Sequence, residues 1–231
     1  MRIESPYFGD YDRLARVLEH TARHHCPNWA VNVYRVDPTP LKAHRRAQNS
    51  HIANTQKMES WNDVIQAAPD GDRILLIDAD TFFTNPIDDI WDRGFDLAYT
   101  NKDSRFPFNS GVIFVRVSPR TKRFFADWAD VNRDMLIDAD RHLPWRAKFG
   151  GINQAAFGQM LETNHGLDML TLPCQEWNCE DSAWADFDPA TTRIVHVKSA
   201  LRAAVFGNYK RRPGVARLAD LWKELENERG P

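Results

Sequence analysis

The sequence is poor in cysteine, and its thiols show no spacing that binds zinc. Cys26, Cys174 and Cys179 are an odd number of cysteines without a Cys-x-x-Cys pair. This pattern argues against a disulfide or zinc framework and is typical of free thiols in a reducing compartment. A bridge between Cys174 and Cys179 is the less favoured alternative.

The sequence also lacks long apolar runs, an excess of charge of one sign, and a flexible linker. No run approaches the roughly 20 residues that cross a bilayer, and the start, MRIESPYFGDYDR, has no signal-peptide stretch. The 30 basic and 32 acidic residues nearly cancel, so no overall field attracts nucleic acid. We expect one domain over residues 1–231 in a soluble, cytoplasmic protein without a transmembrane segment.

Strand-like and helix-like segments alternate along the chain. This alternation predicts an α/β fold with a mainly parallel, mixed sheet flanked by helices. The predicted strands are 1–8, 29–36, 73–77, 95–100, 110–117 and 193–198. The predicted helices are 11–25, 54–67, 118–135, 152–161 and 215–228.

The pentapeptide LIDAD occurs twice, in different contexts. The first copy ends the apolar run 73–77, which is typical of a strand buried on both faces. Asp78 and Asp80 should therefore emerge at the carboxyl edge of the sheet, where open α/β sheets bind ligands. The second copy continues an amphipathic helix, so we predict that Asp138 and Asp140 form a solvated surface pair.

The spacing of Asp78 and Asp80 suits a divalent cation. Two carboxylates at a strand end can reach one hard ion, and Mg²⁺ or Mn²⁺ prefers oxygen ligands while keeping positions open for phosphate. Such an ion neutralises the charge of a diphosphate leaving group. The residues alone leave a second interpretation open, in which the pair caps the turn that follows the strand.

Four segments of the chain occur in an order shared with a known family. They are RILLIDADTFFTNPIDDIW, FNSGVIFV, GGINQAAF and IVHVKSA. The first resembles the D-x-D segment of GT-A type glycosyltransferases, and the second resembles the F-N-[SA]-G-V strand of that family. The third is similar to the D-Q segment. The fourth is similar to the H-x-x-G-x-x-K region of the glycosyltransferase family 8 group.

The resemblance implies a GT-A (Rossmann-like) domain that transfers a sugar from a nucleotide diphosphate. It implies Mn²⁺ (or Mg²⁺) as cofactor, a UDP-sugar as donor, and a carbohydrate or another hydroxyl-bearing acceptor. No residue selects uridine over guanosine, so the base rests on the resemblance alone. No motif or charge pattern predicts a nucleic-acid partner.

The resemblance also implies the metal and phosphate ligands. Asp78 and Asp80 would hold the metal with His196 as third ligand. Side chains alternate along a strand, which would place His196 and Lys198 on one face, the imidazole on the metal and the ammonium on the phosphate. A strand histidine that is hydrogen-bonded in the core remains the alternative for His196.

Three residues stand where the family binds the nucleotide. Pro6 and Tyr7 end the first strand, and Tyr7 can stack on the base. Lys57 is where the family carries a basic residue that faces the donor phosphates. From the residues alone, Tyr7 is equally a core side chain and Lys57 a solvated one.

The substrate contacts are implied by position in the matched segments. Asn109 and Ser110 would hydrogen-bond sugar hydroxyls, although Asn109 could equally shape a turn. Gln154 matches the glutamine of the D-Q segment and joins Asp78 and Asp80 as a catalytic candidate. Trp177 and Asn178 resemble an acceptor-side loop.

The chain departs from the family pattern at two places. Asn153 replaces the acid of the D-Q segment, and 198–201 lacks the later glycine and the K-P-W sequence. The loss of a carboxylate at Asn153 removes a candidate nucleophile or base. Retention would need no enzymatic base, whereas inversion would need one near the acceptor, for which Glu176 and Asp181 are the first candidates; the base and the outcome at the anomeric carbon are left unassigned.

Other functions fit less well. A haloacid dehalogenase-like phosphatase has D-x-D-x-[TV], and here the fifth residue is Phe82. A sugar nucleotidyltransferase would carry a glycine-rich, arginine-containing loop, which 6–10 is not. A non-catalytic module that binds a nucleotide or sugar is the alternative from another class, and the departure at Asn153 motivates it.

Overall fold

The computed structural model describes residues 1–102, 104–163, 165–207 and 213–228. The strands are β1 (Arg2–Tyr7), β2 (Ala30–Arg35), β3 (Arg73–Ile77), β4 (Thr81–Phe83), β5 (Leu97–Asn101), β6 (Phe108–Arg116), β7 (Met169–Pro173) and β8 (Ile194–His196). The helices are α1 (Asp12–His25), α2 (Asn49–Ala67), α3 (Pro119–Ile137), α4 (Ala139–Phe149), α5 (Ile152–Leu161), α6 (Cys174–Trp177), α7 (Ser199–Val205) and α8 (Pro213–Glu228). Short 3-10 helices span Asp88–Asp92 and Trp184–Asp186.

The main sheet has six strands in the order β2-β1-β3-β6-β5-β7. Only β6 runs antiparallel to its neighbours in this sheet, and the other pairings are parallel. The predicted α/β fold with a mainly parallel, mixed sheet is confirmed. A second sheet pairs β4 with β8 antiparallel and sets Thr81 opposite His196. This pairing brings the late strand to the segment that follows β3.

The apolar run in β3 results from burial on both faces of the sheet. Ile74 and Leu76 pack into the core on the side of α2, α3 and α5, where Trp61 and Trp128 are fully buried. Leu75 and Ile77 pack into the core on the opposite face. Because strand side chains alternate, both sets must be apolar. The strand is therefore held rigidly, and it fixes the position of the residues that follow it.

Several elements differ from the sequence-based expectation. The helix predicted at 54–67 begins earlier, at Asn49. The strands β4 and β7 were not predicted, since β4 has only three residues and β7 is a five-residue segment that ends in proline. The helix α4 contains Pro144, a residue that usually ends helices. The Asp138 carboxylate caps this helix by accepting hydrogen bonds from the amides of Asp140 and Arg141.

The second LIDAD copy lies on the surface, as expected. Asp138, between α3 and α4, and Asp140, in the first turn of α4, are both exposed. Cys26, Cys174 and Cys179 are buried free thiols, and burial raises the pKa of each to about 12, so they are poor nucleophiles. Among the described residues, no helix combines the length and apolarity that a bilayer crossing requires.

Three histidines, His44, His51 and His142, pack against one another at α4. The amide of Arg46 donates to His44 Nδ1, so His44 carries its proton on Nε2 and donates it to His142 Nδ1 at 3.1 Å. His142 is fully buried. Burial, followed by His51, His44 and Arg146, lowers the pKa of His142 to about 4. A second proton on His142 would lie on Nδ1, where it would face the Nε2–H group of His44 and find no acceptor.

We expect these histidines to make the fold acid-sensitive. The unfolded pKa of histidine is about 6.5, so His142 contributes its full stability above that pH and loses it as pH falls towards 4. The loss should be about 2 kcal/mol at pH 5 and about 3 kcal/mol near pH 4. Urea unfolding at pH 7.5 and pH 5 should show a smaller loss for His142→Leu than for the wild type. Equal losses in both proteins would contradict the prediction, and the exposed His24→Gln serves as control.

Candidate active site

Asp78, Asp80 and His196 converge at the carboxyl end of β3. Each presents a ligand atom, and these atoms all lie within 4.8 Å of one another. Asp78 follows the last residue of β3, and its amide donates to the Gly111 carbonyl of β6 at 2.8 Å. His196 ends β8, which β4 holds beside the D-x-D segment. Two strand ends thus bring together residues that are far apart in the sequence.

The Asp80 carboxylate is the buried anion of the cluster. Its Oδ1 lies 3.2 Å from His196 Nε2, and its Oδ2 accepts a hydrogen bond from Arg202 Nη2. Burial by itself raises the pKa of the Asp80 carboxyl, but His196, Arg202 and Lys57 outweigh burial and hold that pKa well below its ordinary value. Asp80 is therefore ionised at neutral pH and available as a ligand.

Asn178 fixes the tautomer of His196. Thr100 Oγ1 donates to the Asn109 carbonyl at 3.1 Å and therefore accepts from Asn178 Nδ2 at 3.0 Å. The Asn178 Oδ1 atom is then left facing His196 Nδ1, at 3.0 Å. The imidazole therefore donates from Nδ1 to Asn178, and this bond turns Nε2 towards the aspartates, 3.2 Å from Asp80 Oδ1. This arrangement is the usual support of a metal-binding histidine.

Lys57 contacts the other aspartate of the cluster. Its Nζ donates to Asp78 Oδ1 and lies 4.4 Å from the centre of the Trp61 ring. The side chain is buried, so it is not the solvated lysine that the residues alone allowed. The structure places Lys57 at the D-x-D segment, where the resemblance puts a basic residue.

Gly111 allows β6 to pass directly beneath the cluster. A Cβ atom on this residue would lie 2.6 Å from Asp78 Oδ2, 2.7 Å from His196 Cε1 and 2.8 Å from Asn109 Oδ1. No real Cβ is found that close to such atoms, so only glycine fits here. Asn109 Oδ1 accepts the Gly111 amide at 2.7 Å, which makes Asn109 part of the floor of the site.

Sequence reasoning missed Arg202 and Tyr11. The Arg202 guanidinium donates to Asp80, to Tyr11 Oη at 2.6 Å and to the Val197 carbonyl at 3.2 Å. The spacing H-x-x-G-x-x-K contained the signal, because Arg202 stands six positions after His196. Ser199 occupies the glycine position of that pattern and has a φ of 38°, in the left-handed region that favours glycine.

Lys198 lies near the cluster but is tied to a buried acid. The strand β8 ends at His196, and Lys198 precedes α7, so the expectation from strand alternation is wrong. Its Nζ donates to Glu180 Oε2 at 2.8 Å, and Lys102 Nζ donates to Glu180 Oε1 at 2.7 Å. Burial lowers the pKa of Lys198, but Glu180, Asp181 and Asp80 more than offset burial and raise it.

Four other predicted site residues lie on β1, β6 and α5. Pro6 is buried in β1, and the half-buried Tyr7 donates from Oη to Asp12 Oδ1 at 3.1 Å. Ser110 is buried in β6, one residue from Gly111. Gln154 is half-buried in the first turn of α5 and donates to the Phe149 carbonyl at 2.9 Å.

Trp177 and Glu176 lie away from the cluster. Trp177 is fully buried, with its ring 5.6 Å from that of Phe114 and 4.4 Å from the Arg193 guanidinium. As a core residue it presents no surface to a substrate. Glu176 accepts from Arg193 Nε at 2.8 Å and lines a separate cleft with Asp89, so it is no longer a candidate base. Asp181 is exposed, and its hydrogen bond with Glu180 raises the pKa of the Asp181 carboxyl.

The fold and this cluster define a class of protein. Open α/β sheets bind ligands at the carboxyl ends of their strands, and here that edge carries two acids and an imidazole. Residues 21–201 match the family model described as nucleotide-diphospho-sugar transferase, and the chain belongs to that family. The resemblance to GT-A nucleotide-sugar transferases is thereby confirmed. A comparison with curated protein sequences found no match.

Several solved structures share the fold. One is a glycosyltransferase involved in the glycosylation of the major capsid of PBCV-1, with a TM-score of 0.63, 14% identity, and 96% of this chain and 98% of that chain covered. A second is the galactosyltransferase LgtC in complex with donor and acceptor sugar analogs, with a TM-score of 0.59 and 13% identity. The match covers 99% of this chain and 96% of that chain. A third is the glycosyltransferase GlyE of Streptococcus pneumoniae, with a TM-score of 0.62 and 14% identity. The match covers 97% of this chain and 59% of that chain.

Proposed function

We propose that the protein is a metal-dependent glycosyltransferase, a single domain over residues 1–231, that moves a sugar from a UDP-sugar to a hydroxyl-bearing acceptor. The observation that carries the proposal is the convergence of Asp78, Asp80 and His196 within 4.8 Å. The acceptor is a carbohydrate or another molecule with a free hydroxyl. The donor is carried over from the family and from the resemblance of the matched segments.

The donor set of the cluster fits Mn²⁺ or Mg²⁺. It offers two carboxylates and one imidazole whose Nε2 faces them, because Asn178 accepts the Nδ1 proton. The Asp80 carboxyl stays ionised, since its pKa is held low. A bound ion would neutralise charge that develops on a diphosphate as it leaves the sugar.

Four cationic or aromatic side chains would hold the nucleotide. Tyr7 ends β1 beside the site and offers a ring to the base. Lys57 and Arg202 contact the two aspartates, so both would face the phosphates of a nucleotide bound there. Lys198 adds a further charge, which Glu180 partly neutralises.

Three polar side chains would contact the sugar: Asn109, Ser110 and Gln154. Ser110 and Asn109 lie on β6 directly next to Gly111, and Gln154 stands in the first turn of α5. Asn178 takes a different role from the one first expected, since it orients His196 and does not face an acceptor. A non-catalytic binding module remains the second candidate, because Asn153 is neutral and its Nδ2 is buried without a partner among the described residues.

Binding of UDP should depend on the metal. Calorimetry with UDP and Mn²⁺ should give saturable binding, and EDTA should weaken it at least about tenfold, or about 1.4 kcal/mol. The reason is that phosphate oxygens complete a coordination shell that three protein ligands leave open. Equal affinity for UDP with and without Mn²⁺ would refute the proposed site.

A panel of nucleotide sugars with Mn²⁺ tests the enzyme against the binding module. A transferase should release free sugar from its own donor slowly, with water as acceptor, and the product anomer reports retention or inversion. Tight metal-dependent binding of every sugar nucleotide without turnover would favour the non-catalytic module.

A further inference from the structure

A cleft of about 590 Å³ opens next to the proposed site. Its walls come from the start of α2, the loop between β5 and β6, the helix α4, and the glycines before α5. The residues that matter here are His51, Asn54, Arg105, Phe106, Arg146 and Gly151. The volume falls in the range typical of small-molecule sites.

The cleft begins about one helical turn from Lys57, the lysine that contacts Asp78 of the metal cluster. Asn54 lies three residues before Lys57 on α2 and therefore on the same face of the helix, and Lys57 contacts Asp78. In the main sheet β3 separates β1 from β6. The loop that carries Arg105 joins β5 to β6, whereas Tyr7 ends β1. The cleft therefore lies on the side of the cluster opposite to the place expected for the nucleotide base.

The cleft carries positive charge that no described residue balances. Arg105 and Arg146 line it, and neither forms an ion pair with any residue that the structure describes; no residue lining the cleft is acidic. Burial lowers the pKa of His51, and the charge of Arg146 and then of His44 lowers it further. Positive charge thus dominates the electrostatics on this side of the site.

Two further features suit an anionic sugar. Gly151 precedes α5 and has no side chain to cap the first-turn amides, so the positive end of this helix is open at the cleft. The guanidinium of Arg105 lies 5.4 Å from the centre of the Phe106 ring, and an aromatic ring is a common platform for the apolar face of a sugar.

We propose that this cleft binds the acceptor, and that the acceptor carries a phosphate or carboxylate group held by Arg105 and Arg146. This inference rests on the proposed function. The donor sugar is attached to the diphosphate, so it occupies the space between the cluster and the cleft. The molecule that enters the cleft from solvent is then the acceptor. Its anionic group follows from the two arginines, because guanidinium groups bind phosphate and carboxylate oxygens through pairs of hydrogen bonds.

The test uses the full chain saturated with Mn²⁺ and UDP. Glucose 6-phosphate and glucuronate are the anionic probes, and glucose is the neutral one. We expect the anionic probes to bind at least about tenfold more tightly than glucose, and Arg105→Gln and Arg146→Gln each to weaken them about tenfold. Binding of Mn²⁺ and UDP should stay unchanged. Arg123→Gln, an exposed residue near the start of α3, is the matched control.

Each other outcome would overturn the inference in a distinct way. Equal binding of glucose and glucose 6-phosphate would show that the cleft does not select an anion. If Arg146→Gln weakens UDP-glucuronate relative to UDP-glucose but leaves glucose 6-phosphate unaffected, the anion belongs to the donor sugar. If the wild-type protein fails to bind UDP with Mn²⁺, the proposed function fails and the inference falls with it.

Discussion

Replacing Asp80 by asparagine should abolish the metal-dependent binding of UDP and lower the rate of sugar release at least about a hundredfold. The substitution keeps the shape of the side chain but removes the charge that a divalent ion needs. Asp140→Asn is the matched control, because Asp140 occupies the same place in the second LIDAD copy and is exposed on α4. That control should change neither binding nor rate.

The same substitution should also affect stability, and the two effects can be separated. Asp80 balances the charge of Arg202 in a buried setting, and removal of one partner of a buried pair is destabilising. Thermal melting of Asp80→Asn should show a lower Tm, while calorimetry below that temperature reports UDP binding. A folded variant that still binds UDP in a Mn²⁺-dependent way would remove Asp80 from the metal site.

The helices and strands that were predicted correctly are those whose own residues show a local pattern of apolar positions. The apolar run 73–77 marks a strand buried on both faces, and the spacing of Leu14, Val17 and Leu18 marks the buried face of α1. Each pattern arises because neighbouring residues share one environment. The D-x-D site followed from such a pattern, since the end of a central strand fixes where its acids emerge.

The parts that were missed depend on contacts between distant segments. Asp80 and Arg202 are separated by 122 residues, and no local periodicity records such a pair. Asn178 and Trp177 were predicted to act together on the acceptor, yet the first holds His196 and the second packs against Phe114. Adjacent residues at the end of α6 point into different environments, which sequence alone does not determine.

Short elements were missed for a related reason. The strand β4 has three residues, all of them buried, so it offers no alternation to detect. Its pairing with β8 nevertheless sets His196 beside Asp80. The resemblance to the family supplied His196, and the physical reason for its position became visible only in the second sheet.

Arg202 and Lys198 should differ in their effect on the departure of UDP. Tyr11 and the Val197 carbonyl fix the Arg202 guanidinium, and a bound cation would compete for Asp80 and release a guanidinium nitrogen towards phosphate. The ammonium group of Lys198 forms an ion pair with Glu180, which neutralises part of its positive charge. We therefore expect Arg202→Ala to lower the rate of sugar release about a hundredfold, and Lys198→Ala about tenfold.

The comparison of Arg202→Ala, Arg202→Lys and Lys198→Ala tests charge against packing. If the positive charge acts on the leaving diphosphate, Arg202→Lys should recover part of the rate, because the lysine retains the charge but not the fixed geometry of the guanidinium. Neither Arg202 variant should need more Mn²⁺ than the wild type, since Arg202 is not a metal ligand and its loss removes a competitor for Asp80. If Arg202→Ala lowers Tm but the folded protein keeps its rate, Arg202 serves only to neutralise Asp80 in the fold. The positive charge that stabilises the leaving diphosphate must then come from Lys57 or Lys198.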